Sequence, residues 1–172
     1  MRTSTVSDRI TFRDGQGREQ RVAAYGVCTR TCPQTHTPQL LLVRLNHLTT
    51  TPGAWTLPGG GLDFGEAPID GVVREVAEET GYTARVTELL TVASIERVIR
   101  RPDEPRPTPY HAIRIVYRMD IIGGALRHET DNSTDEARWC DAAALSTMWL
   151  ADLVTSICLM LGSPWVEAVA TA

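Results

Sequence analysis

Hydrophobic and polar positions change their period along the chain, and each change marks an element. Residues 10–13 and 21–28 flank the turn-rich D-G-Q-G at 14–17, the pattern of a hairpin. After a polar loop with Pro33 and Pro38, the apolar run L-L-L-V-R-L at 40–45 suits a buried strand. Trp55, Leu57 and Pro58 then lead into Gly59, Gly60 and Gly61. Residues 68–80 predict a helix. Pro68 suits its first position, where a missing N–H costs nothing, and Gly81 suits its end. Strand-like residues return at 84–99. After a loop rich in proline and arginine, 110–122 alternates Ile113, Ile115 and Tyr117 against Arg114, Val116 and Arg118. Residues 131–136 form an acidic, turn-rich stretch. A C-terminal helix is expected over about 146–161, with Leu150, Leu153, Val154 and Ile157 as its apolar stripe. Strands surrounding one early helix, with another closing the chain, predict a mixed α/β layout around a central sheet.

The chain has 172 residues, which suits a single domain over 1–172. Apolar residues make up 42% and charged residues 22%, so disorder and fibrous classes are excluded. The uncharged stretch 153–166 is broken by Gly162, Ser163 and Pro164. It falls short of the roughly 20 apolar residues a membrane span needs. No apolar stretch follows the charges of the first residues, so no secretory signal is read there and a cytoplasmic location is expected. Acids outnumber bases, 21 to 17, which argues against general nucleic-acid binding. A small phosphorylated ligand held by a few arginines stays compatible with that balance. Cys28, Cys32 and His36 lack the second spaced pair of a zinc site and read as core and loop residues.

Charge patterning adds chemistry to the helix. On a wheel of about 100° per residue, Ile69, Val72, Val73 and Val76 share the face expected to be buried. Glu75, Glu78 and Glu79 fall together on the neighbouring flank. Like charges at these spacings, in a last turn whose dipole disfavours anions, call for compensation by a cation. A solvated acidic face is the alternative. The preceding glycines allow close backbone approach, and their carbonyls suit a hard cation that takes oxygen ligands.

Gly60, five residues, Glu66, seven residues, then R-E-V-A-E-E-T-G-Y at 74–82 resembles the Nudix box. Gly60, Glu66, Arg74, Glu75, Glu78, Glu79 and Gly81 all match it, Val76 fits its first aliphatic position, and Tyr82 departs at its last. The runs at 40–44, W-T-L-P-G-G at 55–60 and D-E-A-R-W at 135–139 extend the resemblance over most of 20–140. It implies a Nudix-like α/β/α sandwich around a central mixed β-sheet. It implies hydrolysis of a nucleoside diphosphate derivative at a phosphoanhydride bond, with Mg2+ or Mn2+. Glu75, Glu78, Glu79 and the Gly59 carbonyl would carry the metal, and Glu66, Arg74, Gly60 and Gly81 would orient that shell. The general base would be a box glutamate, Glu75 or Glu79, or a later acid among Glu129, Asp131, Asp135 and Glu136, of which Glu129 and Glu136 are favoured. Arg44 would bind phosphate. Arg100, Arg101 and Arg106 would either reach an anionic substrate or form a solvated basic loop. Trp139 reads as core. The proline that resembling ADP-ribose hydrolases carry past the box is replaced by Val98, and substrate identity stays open. The alternative is a catalytically silent Nudix-fold module that binds or senses a nucleotide; such proteins usually lose box acids, which are intact here. The C-terminal helix would pack on the core or on a second copy in a homodimer.

Overall fold

The computed structural model describes residues 11–101, 104–129 and 133–170. The predicted hairpin forms from β1 (Thr11–Arg13) and β2 (Glu19–Val27), paired antiparallel; Ile10 lies outside the described residues. The short strand β3 (Thr29–Thr31) precedes β4 (Pro38–Leu45), the expected apolar run. The strands β5 (Trp55–Thr56) and β6 (Gly59–Gly61) lead into α1 (Pro68–Thr80), whose bounds match the expectation. Pro68 sits in its first turn with Asp70, where an acid complements the dipole, and Gly81 ends it in the left-handed region at φ 74°.

The long strands β7 (Tyr82–Ile99) and β8 (Thr108–Gly124) pair antiparallel along their length. Register shifts break β7 between Thr83 and Ala84, between Val86 and Glu88 and between Leu89 and Thr91. Strand β2 runs parallel to β8 and antiparallel to β6, giving one mixed sheet ordered β1-β2-β8-β7 with β6 on β2. A second sheet is built on β4, flanked by β3, β5 and β9 (Thr134–Asp141). Residues 134–136, read as loop, are therefore strand, because β4 supplies their partners at Arg44 and Leu45. Hydrogen bonds from Leu41 N to Cys28 O (3.0 Å) and from Gly26 N to Pro58 O (2.8 Å) join the sheets.

Helices cover both faces, the expected α/β/α sandwich. On one side Val72 and Val76 of α1 pack on Ala24, Cys28, Leu41 and Met119. Burial pushes the Cys28 thiol up to about 12. On the other, Leu153, Val154, Ile157 and Cys158 pack on Val27, Leu40, Leu42 and Val116. No helix among the described residues is long and apolar enough to cross a membrane.

Two expectations are corrected. The C-terminal helix begins at Asp152, as α2 (Asp152–Leu161), not near 146. A 3-10 turn occupies Ala142–Thr147, and the next residues are held extended: Trp55 N donates to Trp149 O and Ala151 N to Trp55 O, each at 2.8 Å. A short α3 (Trp165–Val169) follows. Within α1, Ile69 is half exposed and Val73 only partly buried, because the face turned to the core is centred on Val72, Val76 and Glu79. The buried side carries Val72 and Val76 together with Glu75 and Glu79.

Val72→Asp should therefore cost about 4 kcal/mol or more by burying an unpaired charge. Ile69→Asp should stay within about 0.5 kcal/mol of the wild type, as surface changes do. Urea unfolding of both variants checks the orientation of α1.

Candidate functional site

The centre of the site is the contact between β6 and the last turns of α1. Strand β6 is all glycine, and it pairs with β2 so that Gly59 lies opposite Tyr25 and Gly60 opposite Ala24. A Cβ on Gly60 would stand 2.5 Å from Glu75 Oε1, and one on Gly59 would stand 2.3 Å from Ala24 O. Glycine is thus required for the helix and β2 to approach from opposite sides. Glu75 and Glu79 are each only 1% exposed, an unusual position for carboxylates. The Gly59 N–H donates to Glu79 Oε2 at 2.8 Å.

Arg74 organises the acids around it. Its Nε and Nη2 donate to the two oxygens of Glu66 at 2.7 and 2.9 Å, a bidentate fork. Its Nη1 donates to Glu75 Oε1 at 3.0 Å and to Glu78 Oε2 at 3.1 Å. The Glu66 hydrogen bonds, working against burial and helped by Glu75 and Glu78, hold Arg74 far above the ordinary arginine range. Glu66 is fixed in turn by the Asp63 N–H at 2.9 Å. Gly71 leaves room for it, since a Cβ there would lie 2.9 Å from Glu66 Oε2.

One arginine thus serves three acids, with a fourth, Glu79, beside Gly59. Such a donor set, all oxygen and net negative, suits a hard divalent cation. The glycine backbone leaves no side chain between the carboxylates and β6. Among the described residues no three acidic, histidine or cysteine side chains converge as metal ligands would. Glu75 and Glu78 are turned toward Arg74, and Glu78 is exposed while the other two are buried. The donor chemistry fits a cation; gathering all three carboxylates on it requires Arg74 to loosen its hold on Glu78.

Glu79 and Gly59 open onto a cleft whose opposite wall is basic. Its floor is the face of the mixed sheet that carries Arg21 and Tyr25 on β2, Tyr110 and Arg114 on β8, and Arg97 on β7. Arg97 and Arg114 share Asp152, at the start of α2, each at 2.9 Å. Burial would raise the Asp152 carboxyl, but Arg114 and Arg97 outweigh it and hold it below the usual range. At the cleft mouth Arg101 donates to both oxygens of Glu19 at 2.9 and 2.7 Å.

The other residues singled out from the sequence lie elsewhere. Alternation places Arg44 with Leu40 and Leu42 on the face of β4 turned toward α2. There Asp135 (2.8 Å) and Glu136 (3.1 Å) hold its guanidinium. Glu136 also accepts from Arg138. Glu129 accepts from the Thr134 hydroxyl at 2.9 Å. Arg44, Glu129 and Glu136 are not among the described residues lining the cleft, and Asp131 lies outside the described residues. Of the basic loop, Arg101 lines the cleft while Arg100 and Arg106 are exposed. Trp139 is partly buried beside Tyr82, whose hydroxyl accepts its indole N–H at 3.0 Å. Arg21, Arg97 and Arg114 were not singled out from the sequence. The alternation in 110–122 did set Arg114 on the face opposite Ile113 and Ile115, which was the available signal.

Comparison with known proteins agrees with this architecture. The model of the NUDIX domain matches residues 20–156. An ADP-ribose pyrophosphatase of Methanocaldococcus jannaschii is 42% identical over 80 residues, covering 46% of this chain and 42% of its own length. A MutT-like protein of Streptomyces ambofaciens is 55% identical over 81 residues, 47% of this chain and 45% of its own. The chain thus spans less than half the length of these curated relatives. Among solved structures, the NUDIX domain of Shewanella oneidensis NrtR complexed with ADP ribose superposes with a TM-score of 0.64 at 22% identity, over 86% of this chain and 90% of that one.

Two measurements test the site. Gly60→Ala should destabilise the protein by about 1–3 kcal/mol, because the added methyl meets the Glu75 carboxylate; urea unfolding reads this. Glu19, Glu104 and Asp152 are all held below their usual values, Glu104 at about 2 through Thr108 and Arg13. Their contribution is present above the ordinary carboxylate range and lost as pH falls through it toward about 2. The thermal midpoint should drop across that window, and Arg101→Gln should flatten the drop.

Proposed function

Because the chain belongs to the NUDIX domain family, we propose that it hydrolyses a nucleoside diphosphate derivative at its phosphoanhydride bond. The observation that supports this most directly is the intact acid set on α1, with Glu75 and Glu79 buried against a glycine strand and Glu79 lining an arginine-rich cleft. A molecule that only bound anions would have no use for buried carboxylates at the end of its cleft, since they would repel the ligand. A divalent cation, Mg2+ or Mn2+, held by Glu75, Glu78, Glu79 and the Gly59 carbonyl, would neutralise phosphate oxygens and lower the pKa of a water.

The protein's own residues supply the rest. Gly59, which lines the cleft, allows the substrate to approach the backbone. Arg74 and Glu66 fix the carboxylates in position, and outer-shell partners of this kind typically matter by about 10–100-fold. Glu79 is the α1 carboxylate that lines the cleft, which supports it as the base that takes the proton from the attacking water. The guanidinium groups of the floor receive negative charge, so binding and charge stabilisation fall on opposite walls. The name of the Methanocaldococcus relative makes ADP-ribose the first substrate to test, followed by nucleotide sugars and nucleoside triphosphates.

Glu79→Gln should lower kcat by at least about a hundredfold, exceeding the loss expected for an outer-shell partner, with an unchanged thermal midpoint. A chelator should abolish turnover, and either cation should restore it. Product identification across the substrate panel checks both. A protein that binds these nucleotides and cleaves none of them would be a silent binding module instead.

A further inference from the structure

Two buried guanidinium nitrogens in the cleft floor have no hydrogen-bond acceptor, Nε of Arg21 and Nε of Arg114. They come from neighbouring strands. The register pairs Arg21 with Ala112 and Ala23 with Arg114, so the two side chains leave the same face as diagonal neighbours. Arg114 is tied to Asp152 through Nη1 at 2.9 Å, which leaves its Nε edge unused. Arg21 is buried beside Tyr25 and Tyr110, which also line the cleft. Withdrawing a donor of a charged group from water without supplying an acceptor is strongly unfavourable. Folding brings two such donors to one face of neighbouring strands, in the cleft that Gly59 and Glu79 also line.

A carboxylate or phosphate presents two oxygens at the spacing of a guanidinium fork, Nε with one terminal nitrogen. An anion laid against both forks satisfies both arginines at once. We infer that Arg21 and Arg114 form a seat for a phosphate of the substrate, the one not held at the Gly59–Glu79 corner, and that this grip works without a divalent cation. The inference rests on the hydrolase reading for the name of the ligand, but not for the existence of the seat. It assigns these residues to positioning and selection among substrates: phosphate at this place is gripped, and a neutral group of equal size leaves both Nε donors unsatisfied.

The test uses the full chain with inorganic pyrophosphate as the probe and a chelator present throughout, read by titration calorimetry. The wild type should bind saturably. Arg21→Gln and Arg114→Gln should each weaken binding by about tenfold or more, as loss of a hydrogen bond to a charged group does. Arg85→Gln, an exposed residue of β7 paired with Asp120, should bind as the wild type does. If Arg21→Gln does not fold, Arg21→Lys keeps the charge but loses the planar fork, and it should bind about threefold or more weakly. With a cleaved substrate, Arg114→Gln should raise KM more than it lowers kcat. Absence of pyrophosphate binding in the wild type, or equal binding by the folded Arg21 and Arg114 variants, overturns the seat. Those results with hydrolysis retained leave the hydrolase reading standing. Cation-independent binding with no substrate cleaved keeps the seat and removes the hydrolase reading.

Discussion

Two carboxylates folded beneath a helix, against a strand that has no side chains, set the terms for everything around them. Glu75 and Glu79 would be costly where they are without three supports. Glycine at 59 and 60 lets β6 come close enough for the Gly59 N–H to reach Glu79. Arg74 brings a cation to Glu75 while gripping Glu66 with its other edge. Pro68 and Gly81 fix where the helix starts and stops, and hence which of its residues face the strand.

The electrostatics of the molecule follow from that arrangement. Helix α1 packs on one face of the mixed sheet, and its Glu79 reaches the cleft. The arginines rise from the opposite face of the same sheet. Strand alternation separates the two sets: Ala24 points to α1 while Arg21 and Tyr25 point to the cleft. Under the proposed hydrolase reading, a polyanionic substrate would meet the cationic side chains of β2 and β8 along the floor, and the acids of α1 would serve the bond cleavage.

What the sequence revealed and what it hid divide along the range of the interactions. Helix α1 was legible to the residue, because Pro68, Gly81 and the spacing of its acids are local signals. Its buried side was legible only in part. Ile69 carries the right period, but it is half exposed, since tertiary packing rather than period decides which residues the core covers. Helix α2 was placed too early because Trp149 and Ala151 bond to Trp55, a partner nearly a hundred positions upstream. The same distance hid the cleft floor: Arg21 and Arg114 are neighbours only through the parallel pairing of β2 with β8. Arg44 shows the same limit: its position at the end of an apolar strand suggested a phosphate contact, and the ion pairs that Asp135 and Glu136 make with it come from β9, far along the chain.

The long outer strand β7 has a consequence for the behaviour of the molecule in concentrated solution. It stands at the edge of the mixed sheet, with Leu89, Val92 and Val98 exposed along it. A flat edge of that length would be a template onto which foreign strands could add. The register shifts at 86–88 and 89–91 interrupt the template and increase its local twist. The charged pairs Arg85–Asp120 and Glu88–Arg118 further burden any incoming backbone along that half of the strand. The irregularities that look like flaws in the pairing of β7 therefore act against self-association, confining the vulnerable stretch to residues 91–99.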